Sequence, residues 1–186
     1  MRTIKSAIGI LLFLISSISV AQENKTNSET RRFIDNAEFT QINRDWNMKA
    51  DFRSGIGEVV SFFPVEIIDL KSKSTIRALQ MDMTVSLGGA TYFKSSWIDL
   101  NEVGEFVKFL DLYVVPNLKD KADRKQSTTY VFNSKEITFS YHIERLTKRI
   151  SIYLKDFGVT DNQHYFWTET QVSKIPDLLN TLKQLE

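Results

Sequence analysis

The chain contains no cysteine, two histidines, seven glycines and three prolines in 186 residues. Without cysteine there is no disulfide, no thiolate zinc site, no thiol nucleophile and no lipid-bearing N-terminal cysteine. The histidines, His142 and His164, offer no metal-ligand spacing. Glycines 55, 57, 88 and 89 form no phosphate-cradling fingerprint, and no lysine-serine pair follows them. An excess of one charge is also missing: 24 basic residues face 23 acidic ones, and setting aside residues 1–21 removes only Arg2 and Lys5 from that count. The basic footprint of a nucleic-acid binder is therefore lacking.

What the chain does have is one apolar run, Ala7 to Val20, preceded by Arg2 and Lys5. It is shorter than the roughly 20 residues a membrane-crossing helix needs. Ser19 and Ala21 put small residues where a signal peptidase reads, which predicts a signal peptide over residues 1–21 and a mature chain beginning at Gln22. An uncleaved anchor is the competing reading, disfavoured by the shortness of the run. The expectation is export to the periplasm or beyond, with no stable membrane insertion after cleavage. Together with the disulfide-free body, it points to a bacterial envelope protein. The remaining length suits one domain. The Asn24-Lys25-Thr26 triplet matches a glycosylation sequon that is expected to go unused.

Residues 22–32 carry no large apolar side chain and read as a flexible leader. The domain is then expected over residues 33–186. Phe33 to Trp46 show no clean period and predict a short helix or strand laid across the core. Apolar runs flank Pro64, which suggests an edge strand or a bend, because proline cannot donate to a ladder. Leu79, Met81, Met83, Val85 and Leu87 alternate with polar residues, a half-buried strand. Gly88-Gly89 marks a hairpin. A two-residue loop would set Met83 opposite Lys94. A three-residue loop pairs Val85 with Phe93 and Met81 with Trp97 on one apolar face, and is preferred for that burial.

Asp99, with Glu102 three residues on, opens a helix whose stripe runs from Leu100 to Val114 and which Pro116 ends. The mixed-charge Lys119 to Lys125 segment is a connector. Strands are then predicted near 128–132, 137–143, 150–154 and 164–168, followed by an amphipathic helix whose stripe runs from Ile175 to Leu185 and in which Pro176 fits only if the helix begins near Ser173 or kinks there.

Leu87-Gly88 and Trp97 recur seventy residues later as Phe157-Gly158 and Trp167, and Val103, Phe106 and Leu110 fall on Val172, Ile175 and Leu179. The halves 56–116 and 127–186 therefore read as two ββββα copies. Against this, Met83 and Val85 fall on Tyr153 and Lys155, a parity shift that needs a bulge. Both the repeat and a chance likeness stay open. The fold class is α+β, largely antiparallel, with seven or eight strands and two covering helices. In architecture alone this resembles secreted β-lactamase-inhibitor-type proteins.

No catalytic constellation is legible. There is no serine in a Gly-x-Ser-x-Gly elbow, the carboxylate pairs Asp99/Glu102 and Glu66/Asp69 are explained by capping and solvation, and Asp156 and Asp161 lack a calcium-loop pattern. His142 and Glu144 share a strand face but read as two polar residues on its wet side. No cofactor or metal is implied.

Aromatics are 12% of the chain. Tyr92, Trp97, Tyr165 and Trp167 gather near the ends of the last strands of each half and are the candidate contacts for a ligand or partner, unless they fill the core beneath helices. The favoured function is an exported, non-enzymatic binding protein whose partner is a protein or glycan of the envelope. Two alternatives stand beside it. One is a carrier of a small apolar or lipid ligand, with Tyr141, Tyr153, Phe157 and Tyr165 lining its pocket. The other is a hydrolase with an unrecognised carboxylate site, which would show two buried acids converging in a cleft.

Overall fold

A computed structural model describes residues 27–87, 89–121, 126–155 and 165–185. The expected signal peptide lies outside them. Among the described residues no helix is long and apolar enough to cross a membrane. The architecture is α+β, with antiparallel sheets of five and four strands and three α-helices.

The first helix, α1 (Glu29–Asn36), lies where a leader was expected, and Ser28 and Thr30 are fully buried. The leader expectation fails over residues 28–32 for a reason composition cannot show: polar side chains are buried there because buried carboxylates receive them. The segment without clean periodicity becomes α1, β1 (Thr40–Arg44), a 3-10 turn (Trp46–Met48) and β2 (Ala50–Arg53). These account for the excess over the expected eight strands and two helices.

β3 (Val59–Asp69) is one continuous strand through Pro64 and lies inside the sheet, not at its edge. β4 (Thr75–Leu87) flanks it on one side. On the other side, β1 covers residues 65–69 and β2 covers residues 59–62. Pro64 sits where the partner strand changes, so its missing N–H falls in the interruption.

β5 (Ala90–Asp99) pairs with β4 through a tight turn: Leu87 opposes Ala90, Val85 opposes Tyr92 and Met83 opposes Lys94. This is the two-residue loop, and the three-residue register is corrected. Gly89 takes the positive φ of 84° that such a turn requires. The burial criterion misled because both faces of this sheet are covered. Outward-facing Trp97 is buried with Phe63, Val65, Ile67 and Ala78 under Phe33 and Ile34 of α1.

α2 (Leu100–Phe109) runs on as a π-turn (Leu110–Val114), where the Val115 N–H donates to the Leu110 carbonyl at 2.8 Å, and then a 3-10 turn opened by Pro116. The second sheet follows as a meander: β6 (Thr128–Asn133), β7 (Ile137–Ile143), β8 (Lys148–Leu154) and β9 (Tyr165–Thr168). A 3-10 turn then leads into α3 (Ile175–Lys183), with Pro176 in its first turn where an N–H is dispensable.

Both sheets and both later helices close on one core. Phe106 of α2 is its centre, with ring centroids 4.5 Å from Phe132, 5.3 Å from Phe139 and 6.5 Å from Phe62. α3, at the end of the second half, packs against β2 and β3 of the first.

Candidate functional site

The densest polar assembly is a buried clip that fastens α1. Glu136, in the β6–β7 turn, has no solvent exposure. Its carboxylate accepts the Ser28 hydroxyl (2.5 Å), the Arg31 Nε–H (2.8 Å) and Nη2–H (2.6 Å), and the Trp97 N–H (3.0 Å). Burial opposes the Arg31 charge, yet Glu136 more than offsets it and raises the Arg31 pKa.

Asp99, expected as a cap for α2, also serves the N-terminus of α1. It accepts the Glu29 N–H (2.8 Å), the Thr30 N–H (2.9 Å), the Thr30 hydroxyl (2.8 Å) and the Lys135 ammonium (2.7 Å). The Ser28 hydroxyl accepts the Arg31 N–H (2.9 Å), so the first-turn donors of α1 are satisfied. Burial works to raise the Asp99 pKa, but Lys135 and the α1 N–H groups prevail and lower it. Glu102 is raised by burial, although it accepts N–H groups from Lys135 (2.7 Å) and Asp99 (3.2 Å). Glu136 and Asp99 each take at least four donors and Glu102 one on each oxygen, so the clip is a fastening.

The four aromatic candidates separate. Trp97 is 6% exposed, in the smaller cluster under α1. Tyr92 is half-buried against the main core on the opposite face of β5. Tyr165 and Trp167, 44% and 45% exposed, stand together on the outer face of β9. The rings suggested for a carrier pocket also divide. Tyr141 is buried inward, its hydroxyl donating to the Asn117 carbonyl at 3.2 Å and its pKa pushed up to about 12 by burial. Tyr153 and Tyr165 oppose each other on the outer face, and Phe157 lies outside the described residues.

That outer face of the second sheet is ordered in cross-strand rows: Val131, Ser140, Ser151 and Trp167 in one, Asn133, Thr138, Tyr153 and Tyr165 in the next. His142 stands in the adjoining row. Its Nδ1 is 3.0 Å from the Thr129 hydroxyl and its Nε2 2.9 Å from the Ser151 hydroxyl, so both nitrogens are engaged. Its pKa is lowered, first by burial and then by Arg149, against Glu144. The Arg149 guanidinium lies 5.9 Å from the Trp167 ring centroid, and its Nε is buried without a hydrogen-bond partner among the described residues. A cavity of about 210 Å³ opens beside Trp167, walled by Ile56, Gly55 and Glu169. Among the described residues no three or more metal-ligating side chains converge. His164 lies outside the described residues.

Arg31, Glu136 and Trp46 escaped sequence reading. Arg31 and Glu136 are 105 residues apart and meet only through the fold, whereas Trp46, 64% exposed, stood in an aperiodic segment that could have signalled a loop.

No protein-family model matches the chain, and no curated protein matches it.

Proposed function

We propose that this is an exported, non-enzymatic binding protein whose partner, a protein or glycan of the cell envelope or extracellular space, docks on the outer face of the second sheet. The observation that carries the reading is the pair Tyr165 and Trp167, side by side and half-exposed on a face bordered by hydroxyls. Aromatic anchors in such a setting supply contact area at small entropic cost. Arg149 borders the pair, its guanidinium 5.9 Å from the Trp167 ring centroid, and adds a cation to the aromatic surface offered to a partner.

Export follows from the signal peptide expected over residues 1–21, and the body from Gln22 onward is the species that binds. We further propose that the halves are ββββα copies, with β1 and β2 as a split first strand. An offset of 71 brings Leu79, Met81 and Met83 onto Ile150, Ile152 and Leu154, all fully buried, which removes the parity conflict at an offset of 70. The second half is then one residue shorter than the first between Leu154 and Trp167, the stretch that corresponds to Met83 to Trp97.

The test is capture from the source envelope fraction by immobilised residues 22–186, with the bound species identified. The wild type should retain a species that Tyr165→Ala/Trp167→Ala loses at unchanged melting temperature. Equal capture by both would overturn the reading.

A further inference from the structure

Among the described residues the second sheet runs β6-β7-β8-β9, so β6 is paired on one side only. The Ser134 N–H donates to the Ile137 carbonyl at 3.0 Å, at the position that continues the β6–β7 register. Antiparallel ladders alternate. Tyr130 and Phe132 therefore also direct their backbone groups at β7, while Thr129, Val131 and Asn133 direct theirs outward. Those three residues are exposed.

An open edge is commonly guarded by a charge, a proline or a bulge that stops a further strand from adding. β6 has none of these. The stretch from Gln126 to Ser134 contains no charged residue and no proline. Its pairing with β7, from Thr128 opposite Ile143 to Asn133 opposite Thr138, runs without a bulge. The other edges differ: β1 carries Arg44, β2 carries Asp51 and Arg53, and β5 carries Lys94. β9 leans on the first sheet, its Thr168 hydroxyl donating to the Arg53 carbonyl at 3.0 Å.

Both faces of the sheet are apolar at this edge. On the outer face Val131, in the middle of the strand, is 48% exposed. On the inner face Tyr130 stacks 6.2 Å from Tyr141. Phe132 leads through Phe109, at 5.8 Å, to Tyr113, which is 6.4 Å further on and exposed. The edge thus suits an uncharged strand with a β-branched residue on its outer side and aromatic residues on its inner side. β6 is itself that strand.

We infer that two copies of this chain pair β6 against β6 about a two-fold axis at Val131, joining their four-stranded sheets into one. Antiparallel pairing centred there sets Val131 opposite its copy, Thr129 opposite Asn133 and Tyr130 opposite Phe132. The residues whose backbone groups point outward then meet in hydrogen-bonded pairs. Each apolar side chain meets another on its own face, the β-branched pair outside and the aromatic pairs inside. No charge is brought against the axis by either copy.

Sedimentation equilibrium of residues 22–186 tests this, over a concentration series reaching millimolar because one strand pair buries less area than a tight dimer does. A monomer–dimer equilibrium is expected. Val131→Lys should raise its Kd about tenfold or more at unchanged melting temperature, since it opposes two ammonium groups at the axis and leaves the β7 ladder intact. Amide exchange at Thr129, Val131 and Asn133 should slow as concentration rises, and that at Tyr130 and Phe132 should not. The chain has no cysteine, so Val131→Cys should be joined to its copy by a short bis-maleimide, and Glu38→Cys, in the exposed α1–β1 connection, should not. A monomer at every concentration, a dimer that Val131→Lys leaves intact, or equal cross-linking of the two cysteine variants would each overturn the inference.

Discussion

Glu136 shows how a single residue decides the N-terminal boundary of this domain. A carboxylate without solvent is costly unless its oxygens are filled, and here they take a serine hydroxyl, a guanidinium and a strand N–H. Glu136→Ala leaves Arg31 and the Ser28 hydroxyl without their partner and should cost about 3–5 kcal/mol in urea unfolding; a loss below about 1 kcal/mol would show that the clip is dispensable. The two tryptophans separate by the same measure. Trp97→Ala should destabilise by about 3–5 kcal/mol as a core truncation, and Trp167→Ala by far less, because the latter is half in water already. The pH dependence has a definite sign. His142 and Asp99 both have folded pKa values lowered, from 6.5 and 3.8, so each contributes stability that is full above its ordinary value and is lost as pH falls through its folded one. Unfolding midpoints measured from pH 7 to pH 3 should decline first below about pH 6.5. His142→Gln should flatten that first decline and leave the Asp99 decline, near and below pH 4, in place.

At the scale of the element, α1 acts as the lid of the smaller core. It covers the outer side of β3–β5 with Phe33 and Ile34, and its first-turn N–H groups are taken by Asp99 and Ser28. Removing residues 22–36 should expose Phe63, Val65, Ile67 and Trp97 and lower the melting temperature sharply, whereas removing only residues 22–27 should leave it unchanged. Equal melting of the two truncations would contradict this role. The outer face of the first sheet thus resembles an interior at one end, which is why the hairpin register resisted sequence reading. Alternation identifies a buried face only where the opposite face is wet, and Trp97, an outward residue, is buried by α1, an element far from it in the chain. The strand at 79–87 and the amphipathic helices were legible because each has a single apolar side. β3 was half-legible: its apolar density was plain, but Pro64 marked a change of partner and not an edge.

Across the whole molecule, the two sheets share the main core and α3 crosses to pack on β2 and β3, so the second half encloses no core of its own and the first holds by itself only the smaller cluster under α1. Residues 127–186 alone should therefore fail to fold, and the full domain should unfold in one cooperative transition. A separately folded second half, seen as a dispersed NMR spectrum of that fragment, would contradict this arrangement. The Phe106 ring, touching residues of both sheets, is the joint through which that cooperativity passes.

The amino-acid order by itself determined the fold class, the long strand, the two later helices with their proline-bearing ends, and the absence of thiol chemistry. Those follow from periodicity, capping and composition, which act over a few neighbouring residues. Tertiary structure alone decided that Ser28 and Thr30 are interior, that Tyr165 and Trp167 stand together while Tyr92 and Trp97 part, and that β6 ends its sheet. Each of these depends on which groups distant in the chain meet across the core. Burial and hydrogen bonding are properties of that meeting, and no local pattern encodes them.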